Sequence, residues 1–273
     1  MKRKLSIVGI QITPDADKHK NLENAFALVD EAFETYKHVD VLVLPEYFYH
    51  VVPRSEMNFV GPYPDKIRSG FSKRAKKYSS YIIAGTVANR RAGGDVYNTA
   101  LLFGRDGEVV GEYSKTHLFD ALNAMGGVNE SDFITRGDKL LVYETDFGKI
   151  GILVCYDIRF PELARTLALK GVQYLFVPAA FYSPRIDHWQ DLLRAAALQN
   201  SMYVMGVNLF GKLNNDNVFC GRSIISDPWG VPVATASDKQ GIIQVYIDID
   251  YVNQISGAIG TFHNRVPKLY DIK

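Results

Sequence analysis

With 273 residues, 47% hydrophobic and 22% charged, the chain can bury a sizeable core, and its composition does not suggest disorder. A formal net charge of +1, from 31 Lys plus Arg against 30 Asp plus Glu, lacks the basic footprint that nucleic-acid binding needs. No run approaches the roughly 20 apolar residues that span a bilayer, and only Cys155 and Cys220 could pair, so a reducing cytoplasm is the expected setting.

The apolar run Leu5–Ile10 after Met1-Lys-Arg-Lys is too short for an export-signal core and reads as a buried strand. Leu22, Phe26, Val29, Phe33 and Tyr36 recur at helical spacing. Val39–Leu44 is a second buried strand, stopped by Pro45. A helix follows from about Pro64 to Tyr78, and its cluster of Lys73, Arg74, Lys76 and Lys77 reads as a solvated face. After a strand at Tyr81–Val87, the runs Tyr97–Phe103 and Glu108–Tyr113 flank Gly104-Arg-Asp-Gly107, a hairpin signal. Asn129-Glu-Ser131 matches a glycosylation acceptor, which carries no weight without an export signal.

Leu140–Glu144 and Lys149–Val154 flank Thr145-Asp-Phe-Gly148 as a second hairpin. Pro161 suits the first turn of a helix that runs to about Lys170 and is capped by Gly171. Gln173–Val177 is a buried strand, and Asp187 with Gln190 resembles a capping box opening the next helix. Tyr203–Val207, Ser223–Ser226, Val231–Thr235 and Ile242–Ile247 supply late strands, with a turn at Asp227-Pro-Trp-Gly230. Strand–helix–strand units mixed with hairpins predict one α/β domain over residues 1–273, with one mixed sheet or two.

Several signatures are missing: a dinucleotide-binding glycine motif, a phosphate-binding loop, metal-ligand histidine pairs and a serine elbow. The segment Ile150–Pro161 stands out, because a buried strand ends in Cys155 just before a helix start. Ligands bind at that edge of open α/β sheets, and positive potential there lowers a thiol pKa. Strand logic alone leaves Cys155 between nucleophile and inert buried thiol, whereas Cys220, in Phe219-Cys-Gly-Arg, reads as core packing. Glu46 and Lys115 also follow strand-like runs. Each alone is an ordinary strand terminus; with Cys155 they form a base, cation and nucleophile set suited to acyl transfer.

Leu44-Pro-Glu46, Tyr113-Ser-Lys-Thr-His-Leu-Phe119 and Cys155-Tyr-Asp-Ile-Arg-Phe-Pro-Glu-Leu163 resemble the three catalytic blocks of the nitrilase superfamily of carbon–nitrogen hydrolases. Val177-Pro-Ala-Ala-Phe181, His188-Trp189 and Asp227-Pro-Trp-Gly230 extend the likeness over about residues 4–270, nearest to the Nit-type amidases. The resemblance implies a four-layer αββα sandwich, a homodimer or higher homo-oligomer, and no cofactor or metal. It implies Glu46 as general base, Lys115 as oxyanion-stabilising cation, Cys155 as nucleophile and Glu130 as the residue orienting the lysine, with the Tyr156 N–H completing the oxyanion hole.

Tyr47, Tyr49, His117, Arg159, Phe181, Tyr182 and Arg185 are the candidate pocket residues. Arg159 also reads as a structural partner of a nearby acid, and Arg185 as a surface arginine. The chain departs from the family at Tyr182-Ser-Pro-Arg-Ile-Asp187, where a Gly-Pro is common, and at Arg222, where a histidine is common. Those changes concern pocket shape and charge. The expected reaction is hydrolysis of a small, carboxylate-bearing amide, with neither nucleic acid nor membrane as partner. An N-carbamoyl amine or amino acid is the alternative substrate, and a non-catalytic binding or scaffold member the alternative of another class.

Overall fold

A computed structural model of the chain describes residues 4–120, 129–214 and 218–270. The early apolar runs form strands buried on both faces, as strands between two layers must be: β1 (Lys4–Gln11), β2 (Val41–Val43) and β3 (Tyr81–Arg90). They run parallel, connected through α1 (Lys18–Thr35) and α2 (Asp65–Tyr78). The Asp-Gly turn then reverses the chain between β4 (Val96–Phe103) and β5 (Val109–Ser114).

The second half repeats this plan. β6 (Leu141–Thr145) pairs antiparallel with β7 (Gly148–Ile152). From β7 the chain runs parallel through α3 (Pro161–Leu169), β8 (Val172–Ala179), α4 (Ile186–Asn200) and β9 (Tyr203–Asn208). A small hairpin of β10 (Phe210–Lys212) and β11 (Val218–Cys220) precedes β12 (Ile224–Ser226) and β13 (Pro232–Thr235). The chain then crosses back, so that β14 (Gly241–Asp248) pairs antiparallel with β1 and is followed by α5 (Tyr251–Ile259). Two six-stranded sheets result, ordered β14-β1-β2-β3-β4-β5 and β13-β12-β9-β8-β7-β6.

The period-2 alternation of side chains sorts the core into layers. Leu5, Ile7, Val41, Val43 and Ile83 share one buried cluster with Ile150, Ile152, Phe176 and Met205 of the other sheet. Their neighbours Val8, Ile10, Leu42 and Ile82 pack instead with Leu22 and Val29 of α1 and Phe71 of α2. On the far side Leu167 of α3 and Trp189 and Leu193 of α4 cover the second sheet. This is the αββα sandwich that the resemblance implied. Among the described residues no helix is long and apolar enough to cross a membrane.

One local expectation needs correction. Asp187 does not cap α4: the helix begins at Ile186, running on from a 3-10 turn at Ser183–Arg185, and its N-cap side chain makes no capping bond. Asp187 therefore lies inside the first turn, where its negative charge suits the helix dipole. By contrast, α3 starts at Pro161 as expected, and Gly171 adopts a φ of +89° just beyond it.

Candidate active site

Each leading site residue lies just past a strand end, and local backbone devices aim it inward. After β2, the Pro45 carbonyl fits against a bulge in β3, where a Cβ on Gly85 would run into that oxygen. The Thr86 N–H reaches Pro45 O at 3.3 Å, the Tyr47 N–H donates to Thr86 Oγ1 at 2.9 Å, and Tyr47 takes a φ of +54°. This turn leaves Glu46 only 2% exposed. Lys115 directly follows β5, its N–H donating to Asn98 O at 2.9 Å and its carbonyl accepting from Gly137 N–H at 2.9 Å. Cys155 opens a 3-10 turn, Cys155–Arg159, with a φ of +48° that a non-glycine residue rarely adopts.

These residues meet. Lys115 Nζ donates to Glu46 Oε1 at 3.1 Å and to Glu130 Oε2 at 2.8 Å, and the charges of Glu46 and Lys115 both act on the Cys155 thiol. Two carboxylates and one ammonium in so dry a place would be strongly destabilising if left unsatisfied. The surrounding donors prevent that. Asn98 Nδ2 bridges Glu46 Oε1 at 2.8 Å and Glu130 Oε1 at 3.2 Å. The Ala180 N–H reaches Glu46 Oε2 at 2.8 Å, the Phe119 N–H reaches Glu130 Oε2 at 2.8 Å, and the Tyr47 hydroxyl reaches Glu130 Oε1 at 3.2 Å.

The electrostatics follow from this packing. Burial would push the Lys115 ammonium down, but the Glu130 and Glu46 carboxylates outweigh it and hold its pKa well above the ordinary value. The Cys155 thiol is pushed well up by burial first and by Glu46 second, with Lys115 opposing. The lowered thiol pKa expected from a helix start is therefore corrected: α3 begins only at Pro161, and the thiol instead faces a carboxylate able to take its proton.

Comparison with known proteins identifies the family. The family profile described as Carbon-nitrogen hydrolase matches residues 4–256. The chain belongs to the carbon–nitrogen hydrolase family. It is 36% identical over 235 residues to the 2-oxoglutaramate amidase of Bacillus subtilis, covering 86% of this chain and 88% of that protein. It is 33% identical over 276 residues to the omega-amidase NIT2 of Xenopus tropicalis, covering 100% and 98%. The crystal structure of Saccharomyces cerevisiae Nit3, a member of branch 10 of the nitrilase superfamily, superposes with a TM-score of 0.86 at 29% identity over 94% of each chain.

Around the quartet of this carbon–nitrogen hydrolase, the remaining candidates divide. Tyr156 follows the thiol, its ring edge-on to Phe119 at 5.2 Å, at the start of a turn whose first N–H groups have no partner within the turn. Tyr182 stacks on Phe219 at 5.3 Å, and its hydroxyl is pushed up to about 12 by burial and then by Cys155 and Glu46. Among the described residues Arg159 has no acid as partner, contrary to one expectation: it lies 3.2 Å from His188 Nδ1 and over the Phe181 ring at 5.2 Å. Arg185 lies over the Phe119 ring at 5.3 Å. Burial and the nearby Arg185 charge both depress the Arg159 pKa, which places the two guanidiniums in one neighbourhood.

Two pocket candidates are drawn elsewhere. Tyr49 packs with the α1–α2 core, its carbonyl accepting from Asn21 in α1 and its hydroxyl pushed up by burial and Asp17. His117 is turned to Asp157 and stacked on Phe160 at 3.6 Å. Sequence reasoning missed Asn98, whose only signal was a polar residue inside an otherwise β-rich run, and the Ala180 N–H, which has no side-chain signal at all.

Proposed function

We propose that the chain hydrolyses the amide bond of a small carboxylate-bearing substrate through a thioester on Cys155. The observation that carries this reading is a buried thiol under the influence of the Glu46 carboxylate and the Lys115 ammonium, which are themselves 3.1 Å apart. Glu46 takes the thiol proton as sulfur attacks the amide carbon, and the carbonyl electrons move onto oxygen. Lys115 and the Tyr156 N–H stabilise that oxyanion; donors of this kind contribute about 3 kcal/mol each to acyl-transfer transition states. Collapse expels ammonia, which receives the proton from Glu46. Glu46 then deprotonates water, which attacks the thioester, and the departing sulfur regains its proton. Glu130 keeps the ammonium aimed, since it holds both Lys115 Nζ and the Phe119 N–H.

The neighbouring Arg159 and Arg185 support a carboxylate at the far end of the substrate, because Arg forks match carboxylates and, among the described residues, Arg159 meets His188 and aromatic faces with no acid paired to it. 2-Oxoglutaramate, which names one relative, is a monoamide bearing such a carboxylate. Two unpaired, buried cysteines suit a reducing cytoplasm. We also propose a homodimer that joins the outer faces of α3 and α4, where Leu169 and Leu198 stand 48% and 47% exposed and Trp229, in the turn that Arg194 of α4 bonds at Gly230, stands 43% exposed. Sedimentation of a Leu198→Glu variant as a monomer would support it.

The test is ammonia release from succinamate and glutaramate against neutral butyramide and an N-carbamoyl amino acid, with intact-mass detection of an acyl adduct. Preference for the carboxylate-bearing amides with an adduct on Cys155 supports the reading. Activity on carbamoyl substrates alone would replace the substrate class, and a folded protein that forms no adduct with any of them would refute the reaction.

A further inference from the structure

Asp157 takes no part in the chemistry above, yet no part of it is exposed. Its Oδ2 accepts from the Val154 N–H at 3.0 Å and the Tyr113 hydroxyl at 2.7 Å. Its Oδ1 accepts from the His117 N–H at 2.8 Å and the Thr116 hydroxyl at 3.0 Å, and His117 Nδ1 lies 3.1 Å away. The Asp157 N–H in turn donates to Val154 O at 3.0 Å, closing a tight turn around Cys155. One oxygen thus holds the turn that forces Cys155 to a φ of +48°, and the other holds the two residues that follow Lys115.

We infer that Asp157 is a positioning residue that fixes the distance between the Cys155 sulfur and the Lys115 ammonium. The inference rests on the reading of Cys155 as nucleophile and Lys115 as oxyanion partner. The physical need is plain: a left-handed backbone at a cysteine persists only when its surroundings over-determine it. The lysine loop is gripped at both ends by carboxylates, Asp157 at Thr116 and His117 and Glu130 at Phe119. Burial would raise the Asp157 pKa, but the donors from His117, Tyr113 and Val154 hold it below the ordinary carboxylate range, so the group is a full acceptor at neutral pH. An asparagine there presents an N–H to groups that are themselves donors, and the turn and the loop shift apart. Small displacements of reacting groups lower rate far more than binding.

The experiment compares Asp157→Asn with Asp40→Asn, a second buried aspartate, which binds the Ser6 N–H and Arg105 remote from the site. On succinamate, Asp157→Asn is expected to lower kcat about 100-fold with KM changed by less than about threefold, and to abolish acyl-adduct accumulation. Asp40→Asn is expected to lower the melting temperature and leave kcat unchanged. Equal kcat for Asp157→Asn and wild type, or equal kcat losses in the two variants at equal melting temperature, would overturn the inference. If Asp157→Asn does not fold, Thr116→Val carries the test: kcat lower by about tenfold at constant KM supports it, and unchanged kcat overturns it. Failure of the underlying reading shows separately, as a Cys155→Ala enzyme that still turns over.

Discussion

Cys155 and Cys220 are both buried beside polar groups at the same end of the sandwich, yet their surroundings differ in kind. Around Cys155 stand two carboxylates and an ammonium, bridged by Asn98. The groups that hydrogen-bond around Cys220 are neutral: Asn208 Nδ2 donates to its sulfur at 3.0 Å, the Asn208 N–H donates to Ser223 Oγ at 2.9 Å, and Ser223 donates to Gln11 Oε1 at 2.9 Å. Burial raises both thiol pKa values, that of Cys220 to about 12. What separates them is the second influence. For Cys155 it is Glu46, which can take the proton; for Cys220 it is an amide, which cannot. A buried thiol becomes a candidate nucleophile through the base beside it, and low pKa is not required.

The largest expected effect is at the reactive sulfur. Cys155→Ala should reduce kcat by about 10,000-fold or more with the fold intact by circular dichroism. Glu46→Gln should cut kcat by about 100-fold to 1,000-fold. It should also make Cys155 easier to alkylate: removing the carboxylate removes a cause that raises the thiol pKa, while Lys115, which lowers it, remains. The pH profile of iodoacetamide labelling should therefore move to lower pH as activity falls. A profile unmoved by the substitution would break the contrast between the clusters.

Asn98→Ala should lower kcat about tenfold, because Glu46 and Glu130 lose the amide that bridges them. Smallest is Cys220→Ala, which should change kcat by less than about twofold. Its signature lies in stability instead. The folded thiol titrates near 12 and the unfolded one near about 8.5, so wild-type stability declines as pH rises past the lower value, when only the unfolded chain ionises. Denaturant titrations of Cys220→Ala at neutral and alkaline pH should show a smaller decline than wild type.

Much of this architecture could be read locally. The Asp-Gly turn announced the β4–β5 hairpin, and Pro161 and Gly171 bracketed α3. Glu46, Lys115, Glu130 and Cys155 were legible because each sits in a distinctive block. Other features depend on register. Asn98 matters because β4 and β5 pair so that it lies opposite Lys115, and no local pattern encodes that pairing. Tyr47 and Tyr49 both read as pocket residues, but the left-handed turn at Tyr47 sends the three consecutive aromatics from 47 to 49 different ways. Tyr47 goes to Glu130, Phe48 packs edge-on against Phe71 at 5.5 Å, and Tyr49 goes to α1. The return of β14 to β1 also has no local signature.

That return has a consequence for dissection of the molecule. A cut ahead of β6 would leave Glu46, Lys115 and Glu130 on one piece and Cys155 with the Ala180 amide on the other. The second piece would also carry β14, the strand that completes the first piece's sheet. Neither fragment holds a full reactive set, and the first lacks the strand that completes its sheet, so turnover recovered on mixing would report reinsertion of β14 beside β1.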